Sequence, residues 1–516
     1  MIKQRETSVK IITACVFIAT FMTAVEGTIV STAMPTIVGS LEGISIMNWV
    51  FSIYLLTNAM MTPIYGKLAD KIGRKPIFLI GIIIFIIGSA LSGISQNMIQ
   101  LIIFRAIQGI GAGSIVPVSL IIIADMYPVE KRASILGLNS AAWGIASIVG
   151  PLAGGFIVDA LSWHWIFLIN VPIGLVLMLL VWMYLNEEKK EVEKAPIDYL
   201  GSICLVFMLL ALLYGFQTVS EGFSFVTIVS FIIFIIGFIL FVQVEKRAVD
   251  PIITLELFKN RTYVIVNLIA ALISGFLMGV EVYIPMWMQG ILGKPAALGG
   301  IVLAPMSVIW MVGSFTGGKA MQKWSAKKAI FISMLPVLVG AICLAFSKID
   351  TPYGMFFAYS AVLGIGFGMT MTILTVLAQT SVDNEHIGVA TSFFTLSRTI
   401  GQTIMISIFG LVLNASMNKG LEAKIDLGVT KDMMNKLINP QTVKSLPSNL
   451  VGDLREILFN NLHQVYLVGI TLVAISFILN YFQKEETLSK KEVVTEVFSF
   501  CHTIYIEKRD YGLFLP

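Results

Sequence analysis

Charged residues are scarce in this chain. Asp, Glu, Lys and Arg make up 13% of its 516 residues, whereas a soluble domain contains about 25%. Histidine and cysteine are rarer still, with four residues of each type. The cysteines show no paired spacing and the histidines no ligand spacing, so we expect neither a disulfide framework nor a metal site. These deficits argue against a soluble metalloenzyme.

Apolar residues are abundant instead. They make up 57% of the chain and give it a mean hydropathy of +0.87. Many lie in uninterrupted runs of roughly 20 residues, the length that crosses about 30 Å of hydrocarbon as a helix. Apolar and polar residues do not alternate within the runs, which excludes a membrane barrel. We therefore predict an all-α membrane protein with about fourteen transmembrane helices, in contact with the lipid bilayer.

Basic residues are concentrated in alternate loops. One set of loops contains Lys67, Lys71, Arg74, Lys75, Lys131, Arg132, Lys319, Lys323, Lys327 and Lys328. The short loops on the opposite side contain Lys294 and Lys348. Because cytoplasmic loops carry the excess of Lys and Arg, we expect a multi-pass protein of the plasma (inner) membrane with both termini in the cytoplasm. The small net charge of +4 gives no reason to expect a nucleic-acid partner.

Composition divides the chain into four parts. Residues 1–185 form a first set of six predicted spans, and a charged linker with a short inserted helix pair occupies 186–261. A second set of six spans covers 262–482 and includes an external segment of mixed polarity at 416–462. That segment could fold back as a cap or remain a surface loop. Residues 483–516 form a predicted cytoplasmic tail.

The two sets of spans repeat each other weakly. Gly66-Lys67 recurs 252 residues later as Gly318-Lys319, and Gly109-Ile110-Gly111 is echoed 255 residues later by Gly364-Ile365-Gly366. Parallel halves with an inserted pair between them explain both offsets. Such halves predict a substrate site near the middle of the membrane, exposed to each side in turn.

The loop after the second span carries the sequence Gly66-Lys67-Leu68-Ala69-Asp70-Lys71-Ile72-Gly73-Arg74-Lys75. Its glycines permit a tight turn, and Arg74 can pair with Asp125 at the end of the fourth span. This loop resembles the loop signature of the major facilitator superfamily. The resemblance implies a conformational latch formed by Gly66, Asp70, Gly73, Arg74 and Asp125, whereas an ordinary positively charged loop is the alternative.

Two further motifs are similar to motifs of that superfamily. Arg105-Ala106-Ile107-Gln108-Gly109 resembles its buried-arginine motif, and a charge inside a membrane is usually functional. The fifth span resembles the antiporter motif of drug exporters, and the matching residues are Gly144, Gly150, Pro151, Gly154 and Gly155. The glycines allow helices to approach closely, and Pro151 bends the span. A packing kink is the alternative to an export function.

Two segments resemble sequences that are typical of the fourteen-span drug:proton antiporter branch of the superfamily. One runs from Glu26 to Pro35, with Glu26 where the branch usually has Asp. The other runs from Trp163 to Gly174, with His164 in place of the usual Arg. The resemblance implies export of drugs in exchange for protons.

Two acidic residues lie deep in predicted spans. Glu26 and Glu281 are 255 residues apart, so they occupy equivalent positions on the first helix of each half. An ionised carboxylate is costly there, which suits a group that alternately holds a proton or a cationic substrate. A protonated glutamate that only makes a hydrogen bond is the alternative. Arg105 is expected to tune proton binding, and Arg398, also deep, has no assigned role.

These observations predict a proton-coupled antiporter, not an enzyme, that exports lipophilic cationic compounds as a monomer. No phosphate-binding loop is present, so we expect the proton gradient to supply the energy and no cofactor to be needed. The side chains that could line a substrate pocket near Glu281 are Met278, Tyr283, Trp287 and Gln289. A carrier for a narrow physiological solute (a peptide, amino acid or lipid-like metabolite) is the first alternative. A membrane enzyme fits less well, because no polar catalytic cluster is found. A sensor also fits less well, because it would not need the antiporter motif, the latch and the buried acids together.

Overall fold

The computed structural model describes residues 8–127, 129–187, 198–221, 224–248, 251, 255–382 and 387–483. These residues form helices joined by short turns, with no strand among them. The first group of helices comprises α1 Val9–Leu41, α2 Asn48–Ile72, α3 Arg74–Gly93, α4 Met98–Met126, α5 Val129–Ala160, α6 Trp165–Leu168 and α7 Asn170–Tyr184. A hairpin follows, made of α8 Tyr199–Glu221 and α9 Phe225–Glu245.

The second group of helices begins after a short 3₁₀ segment, Leu255–Lys259. It comprises α10 Arg261–Met286, α11 Ala296–Ile301, α12 Ala304–Lys323, α13 Ala326–Ala345, α14 Tyr353–Thr380, α15 Ile387–Ala423, α16 Lys431–Leu437 and α17 Val451–Tyr481. One turn of π-helix, Trp287–Ile291, extends α10. We refer to α1–α7 as the N-terminal bundle and to α10–α17 as the C-terminal bundle.

Twelve segments of the described residues are long and apolar enough to cross a bilayer. Two further helices, α2 with 25 residues and α8 with 23, also exceed the length of about 20 residues that a span needs. The prediction of an all-α membrane protein is therefore confirmed.

Glycines let α3 and α4 pack closely. A Cβ atom on Gly88 would overlap the backbone of Gln108, and a Cβ on Gly111 would overlap the backbone of Phe85. Any larger residue at these positions would push the two helices apart. The close approach brings the side chains of Ser89 and Gln108 within hydrogen-bond distance.

The bundles have two ends, which we name by their turns. The basic end holds the turn between α2 and α3 at Gly73, and the far end holds the turn between α1 and α2 at Gly43. Direct hydrogen bonds between the two bundles gather toward the far end. There Asn414 Nδ2 donates to the Ser45 carbonyl at 2.6 Å, and Asn435 Oδ1 accepts from the Ile44 amide at 3.0 Å.

The segment predicted to be external, 416–462, is largely helical. It contains the end of α15, all of α16 and the first turns of α17, which begins at Val451. Its residue Asn435 contacts the α1–α2 turn of the N-terminal bundle, and Asn439 lies against Gly39 in the last turn of α1. Residues 484–516 of the predicted tail lie outside the described part of the chain.

The hairpin α8–α9 lies beside the boundary between the bundles. Leu205, Leu209 and Leu213 of α8 belong to one apolar cluster with Ile53, Leu56 and Met60 of α2. Side chains of α15, including Leu396 and Ile400, pack against the same cluster. The inserted pair therefore contacts a helix of each bundle.

Candidate functional site

Glu26 lies at the centre of a sealed polar site in the N-terminal bundle. Its side chain and that of Arg105 are each 1% exposed. Arg105 Nη1 donates to Glu26 Oε1, and Asn170 Nδ2 donates to Glu26 Oε2 at 2.7 Å. Both carboxylate oxygens thus have a donor, which is what a buried charge requires to be tolerated.

Ser89 connects the rest of this network. Its Oγ accepts from Gln108 Nε2 at 3.1 Å and from Asn170 Nδ2 at 3.0 Å, and it donates to the Phe167 carbonyl at 2.8 Å. Arg105 Nη1 also donates to Gln108 Oε1 at 2.8 Å. The network therefore ties α1, α3, α4, α6 and α7 together around one carboxyl group.

Aromatic rings hold the Arg105 guanidinium in place. Its Cζ atom lies 4.0 Å from the centroid of the Tyr54 ring and 5.7 Å from that of Phe167. Its Nε donates to the Val50 carbonyl at 3.3 Å. Stacking on ring faces suits a weakly hydrated planar cation, so the charge of Arg105 is fixed in position on one side of Glu26.

Sequence reasoning identified Glu26 and Arg105 but not their other partners. Gln108 and Asn170 stand inside motifs that were recognised, and Asn170 follows the Trp165–Leu168 turn that aims it back at α1. Ser89 belongs to an apolar run and no sequence signal marks it. Its role follows only from the close packing of α3 on α4.

Glu281 of the C-terminal bundle has different surroundings. It is partly exposed, and its carboxyl makes no hydrogen bond and no close ion pair with any residue that the structure describes. The guanidinium of Arg398 on α15 interacts with it electrostatically from further away. Arg398 Nε donates to Ser274 Oγ at 3.2 Å, on the same helix as Glu281. Arg398, which had no assigned role, thus contacts α10 and interacts electrostatically with the second acidic residue.

At the basic end, Arg74 forms the expected ion pair. Its Nε lies 2.9 Å from Asp125 Oδ2, with Asp125 at the last turn of α4. Glu187 covers the start of α3, since its carboxylate accepts from the Arg74 amide at 2.7 Å and the Lys75 amide at 3.1 Å. Gly73 has a φ of +112°, so the tight turn needs glycine there.

The structure gives less information on Gly66 and Asp70, the two other residues of the predicted latch. A Cβ on Gly66 would meet none of the described atoms within 4 Å. The side chain of Asp70 lies outside the described part of the chain. The conformational latch as a whole stays a prediction.

The predicted antiporter motif lies where α5 packs between the two bundles. Cβ atoms on Gly150 and Gly154 would overlap or crowd Thr28 and Ile29 of α1. On another face, a Cβ on Gly155 would overlap Ala297 of α11, and the Pro151 carbonyl fits against Gly300. The motif therefore joins the helix that carries Glu26 to the C-terminal bundle. A Cβ on Gly144 would meet none of the described atoms within 4 Å.

Asp159 strengthens this contact between the bundles. Its carboxylate accepts hydrogen bonds from the Ala296 amide at 3.2 Å and the Ala297 amide at 2.8 Å, at the start of α11. Sequence reasoning missed Asp159, because an acidic residue at the end of a span is usually a surface residue.

The four residues proposed to line a pocket are buried at or near the same boundary. Tyr283 Oη donates to Asn48 Oδ1 at 2.9 Å, and Gln289 Nε2 donates to the Thr32 carbonyl at 2.9 Å. Trp287 is 0% exposed among Phe356, Phe459 and Tyr466. Met278 is also buried. In this conformation Tyr283 and Gln289 connect the bundles directly.

Comparison with known proteins settles the family. The sequence model of the Major Facilitator Superfamily matches residues 16–406, which is more than half of the chain. The chain belongs to the major facilitator superfamily. It is a multi-pass membrane transporter and not an enzyme, as the sequence predicted.

Two relatives and one solved structure illustrate the similarity. The chain is 35% identical to the Multidrug transporter protein MdtP of Bacillus subtilis strain 168, covering 92% of this chain and 93% of MdtP. It is 33% identical to Multidrug resistance protein 3 of the same organism, covering 92% and 94%. A bacterial homologue of the human lysosomal transporter Spinster has the same fold, with a TM-score of 0.68, 14% identity and coverage of 94% and 97%.

Proposed function

We propose that this transporter exports small lipophilic compounds, mainly cations, from the cytoplasm in exchange for protons. The observation that carries the proposal is the sealed Glu26–Arg105–Asn170 site at the middle of α1. The printed names of the relatives, a multidrug transporter and a multidrug resistance protein, support drugs as the substrates. The membrane-length helices of this chain support its assignment to the fourteen-span antiporter branch. The segments Glu26 to Pro35 and Trp163 to Gly174, which resemble that branch, support it as well.

Proton coupling follows from the partners of Glu26. The ionised carboxylate is held by Arg105 and by the amide of Asn170, so a proton on Glu26 removes the charge attraction to Arg105 and turns one of the two acceptor oxygens into a donor. Arg105 would then be free to relax toward Gln108 and the Val50 carbonyl. Gain or loss of one proton thus changes the packing of α1 against α4 and α7.

That change can reach the boundary between the bundles through α1. Thr28 and Ile29, within one helical turn of Glu26, lie against Gly150 and Gly154 of α5. The adjacent Gly155 and Pro151 lie against α11 of the C-terminal bundle. A shift of α1 at Glu26 can therefore move the contact between α5 and α11, because adjacent residues of α5 touch both helices. This contact couples the protonation of Glu26 to alternating access.

The orientation of the protein in the membrane follows from the charge of its basic end. We infer that the basic end faces the cytoplasm, because it carries Lys67, Lys71, Arg74 and Lys75. The far end then faces outward, and the contacts at Asp159, Tyr283 and Gln289 close the outward path. Each chain contains a complete set of these elements, so we propose that the monomer is the transporting unit and the proton gradient its only energy source.

The test is dye transport in inverted membrane vesicles that contain the protein. We expect ethidium uptake to require an inside-acid proton gradient and to stop when a protonophore is added. Glu26→Gln should abolish the gradient-driven uptake, whereas Glu256→Gln, which neutralises an exposed glutamate near the basic end, should not change it. Full gradient-driven uptake by Glu26→Gln would refute the role of Glu26. Absence of dye transport by the native protein would favour a narrow physiological solute.

A further inference from the structure

The acid–arginine pairs of the two bundles differ in how well they are satisfied. Glu26 and Arg105 are in direct contact, almost wholly buried and surrounded by donors. Glu281 and Arg398 interact without direct contact, and both are partly exposed. Among the described residues, the carboxyl of Glu281 therefore lacks the hydrogen-bond donors that its counterpart Glu26 has.

The exposed part of Glu281 opens into the protein and not toward lipid. From Ile273 to Ile291 every residue except Glu281 is buried. A residue on a lipid-facing stripe would have exposed neighbours three and four positions away, but Leu277, Met278, Ile284 and Pro285 are all buried. The carboxyl of Glu281 therefore faces an internal space.

Arg398 lies on a polar face of α15. Thr391, Thr395, Arg398 and Gln402 recur at helical spacing, and all four are partly or fully exposed. An ionisable residue within a span, such as Arg398, faces the interior of the bundle or a water-filled cavity. The stripe begins near the basic end of α15 and reaches Arg398.

Soft side chains lie beside Ser274, the residue that Arg398 contacts. Ser274 Oγ, which accepts from Arg398, donates in turn to Met371 Sδ at 3.8 Å. The Met405 side chain lies against Gly275 on the next position of α10. Thioethers adapt to ligands of different shapes, so this is a suitable place for the apolar groups that flank the charge of a lipophilic cation.

We propose that Glu281 binds the charged centre of cationic substrates, and that the substrate replaces Arg398 as the nearest positive charge to this carboxylate. This inference rests on the proposed function and deepens it. Glu26 cannot take the same part, because each of its oxygens already has a donor and it is sealed from the interior space. The two acids then divide the work: Glu26 holds the proton and Glu281 holds the cation.

Equilibrium binding of tetraphenylphosphonium to the purified protein tests the proposal. Glu281→Gln should weaken binding by about tenfold or more, because a cation loses its carboxylate in a medium of low dielectric. Glu281→Asp should retain most of the affinity and shows that the site still folds. Arg398→Gln should bind more tightly than the native protein at about pH 8, since the competing charge is gone. Glu256→Gln should match the native protein.

Chemical labelling of the native protein gives a second measurement that needs no variant. A lipophilic carbodiimide should label Glu281, and excess tetraphenylphosphonium should protect it, as read by peptide mass spectrometry. Native affinity in Glu281→Gln, or labelling of Glu281 that the cation does not reduce, overturns the inference alone. If the native protein neither binds tetraphenylphosphonium nor transports ethidium, the proposed function falls together with it.

Discussion

The contact between Gly155 and α11 offers a sharp test of the conformational mechanism. A Cβ at this position would overlap Ala297 Cα and come within 2.7 Å of the Ala296 carbonyl oxygen. Both neighbours are backbone atoms, which cannot rotate away as a side chain can. Gly155→Ala should therefore force the bundles apart at the far end while leaving each bundle intact.

The magnitude follows from the cost of overpacking. An extra methyl group in a well-packed site costs about 1–3 kcal/mol, and this penalty applies only to the conformation in which α5 touches α11. The conformation closed at the far end should thus lose roughly 5- to 150-fold in relative population. Drug transport should slow accordingly, because the cycle must pass through that conformation.

Pulsed electron–electron resonance measures the population directly. Spin labels at Leu161 and Asp350, exposed residues at the far end on opposite bundles, report the separation there. Gly155→Ala should shift the distances toward longer values. Gly144→Ala is the matched control, because it adds a methyl group to the same helix where none of the described atoms lies within 4 Å. Identical distances in the native protein and Gly155→Ala would refute the reasoning.

Three further outcomes are expected. Asp125→Asn should slow transport several-fold, because it removes the ion-pair partner of Arg74. Exchanging Arg74 and Asp125 should restore part of the rate. An unchanged transport rate in Asp125→Asn would show that the ion pair has no part in the mechanism. Asn170→Ala should destabilise the protein by about 1–3 kcal/mol in thermal unfolding, because one Glu26 oxygen loses its donor, and an unchanged melting temperature would contradict the network. Burial lowers the pKa of His164 from its usual 6.5, so stability should fall as the pH drops below that value; His164→Gln should show a weaker fall between pH 7.5 and 5.

The helical fold could be read from the sequence because its cause is local. A run of about 20 apolar residues can satisfy its backbone in lipid only as a helix. The segment 416–462 was harder to predict, since its mixed polarity fits both a loop and a cap. The contact of Asn435 with the Gly43 and Ile44 amides depends on how the two bundles meet, which no short stretch of sequence specifies.

The candidate site was predictable in part for a similar reason. Glu26, Arg105 and Glu281 stand out because ionisable residues are rare within spans. Ser89 does not, because small polar residues are common in membrane helices. Asn170 lies inside a recognised motif, but only the packing of α3, α4 and α7 brings it to Ser89 and Glu26. The contrast between Glu26 and Glu281 was also invisible, since equal positions in the repeat say nothing about the donors around each carboxyl.

The hairpin α8–α9 has a consequence for how the bundles can move. It touches α2 with leucines that face Ile53, Leu56 and Met60, and it touches α15 beside Leu396 and Ile400. The hydrophobic effect has no preferred direction, so such a contact keeps most of its stabilisation when it shifts, provided that the same apolar area stays covered. The hairpin can therefore stay in contact with both bundles while they move relative to each other. In that position it keeps lipid tails out of that side of the boundary.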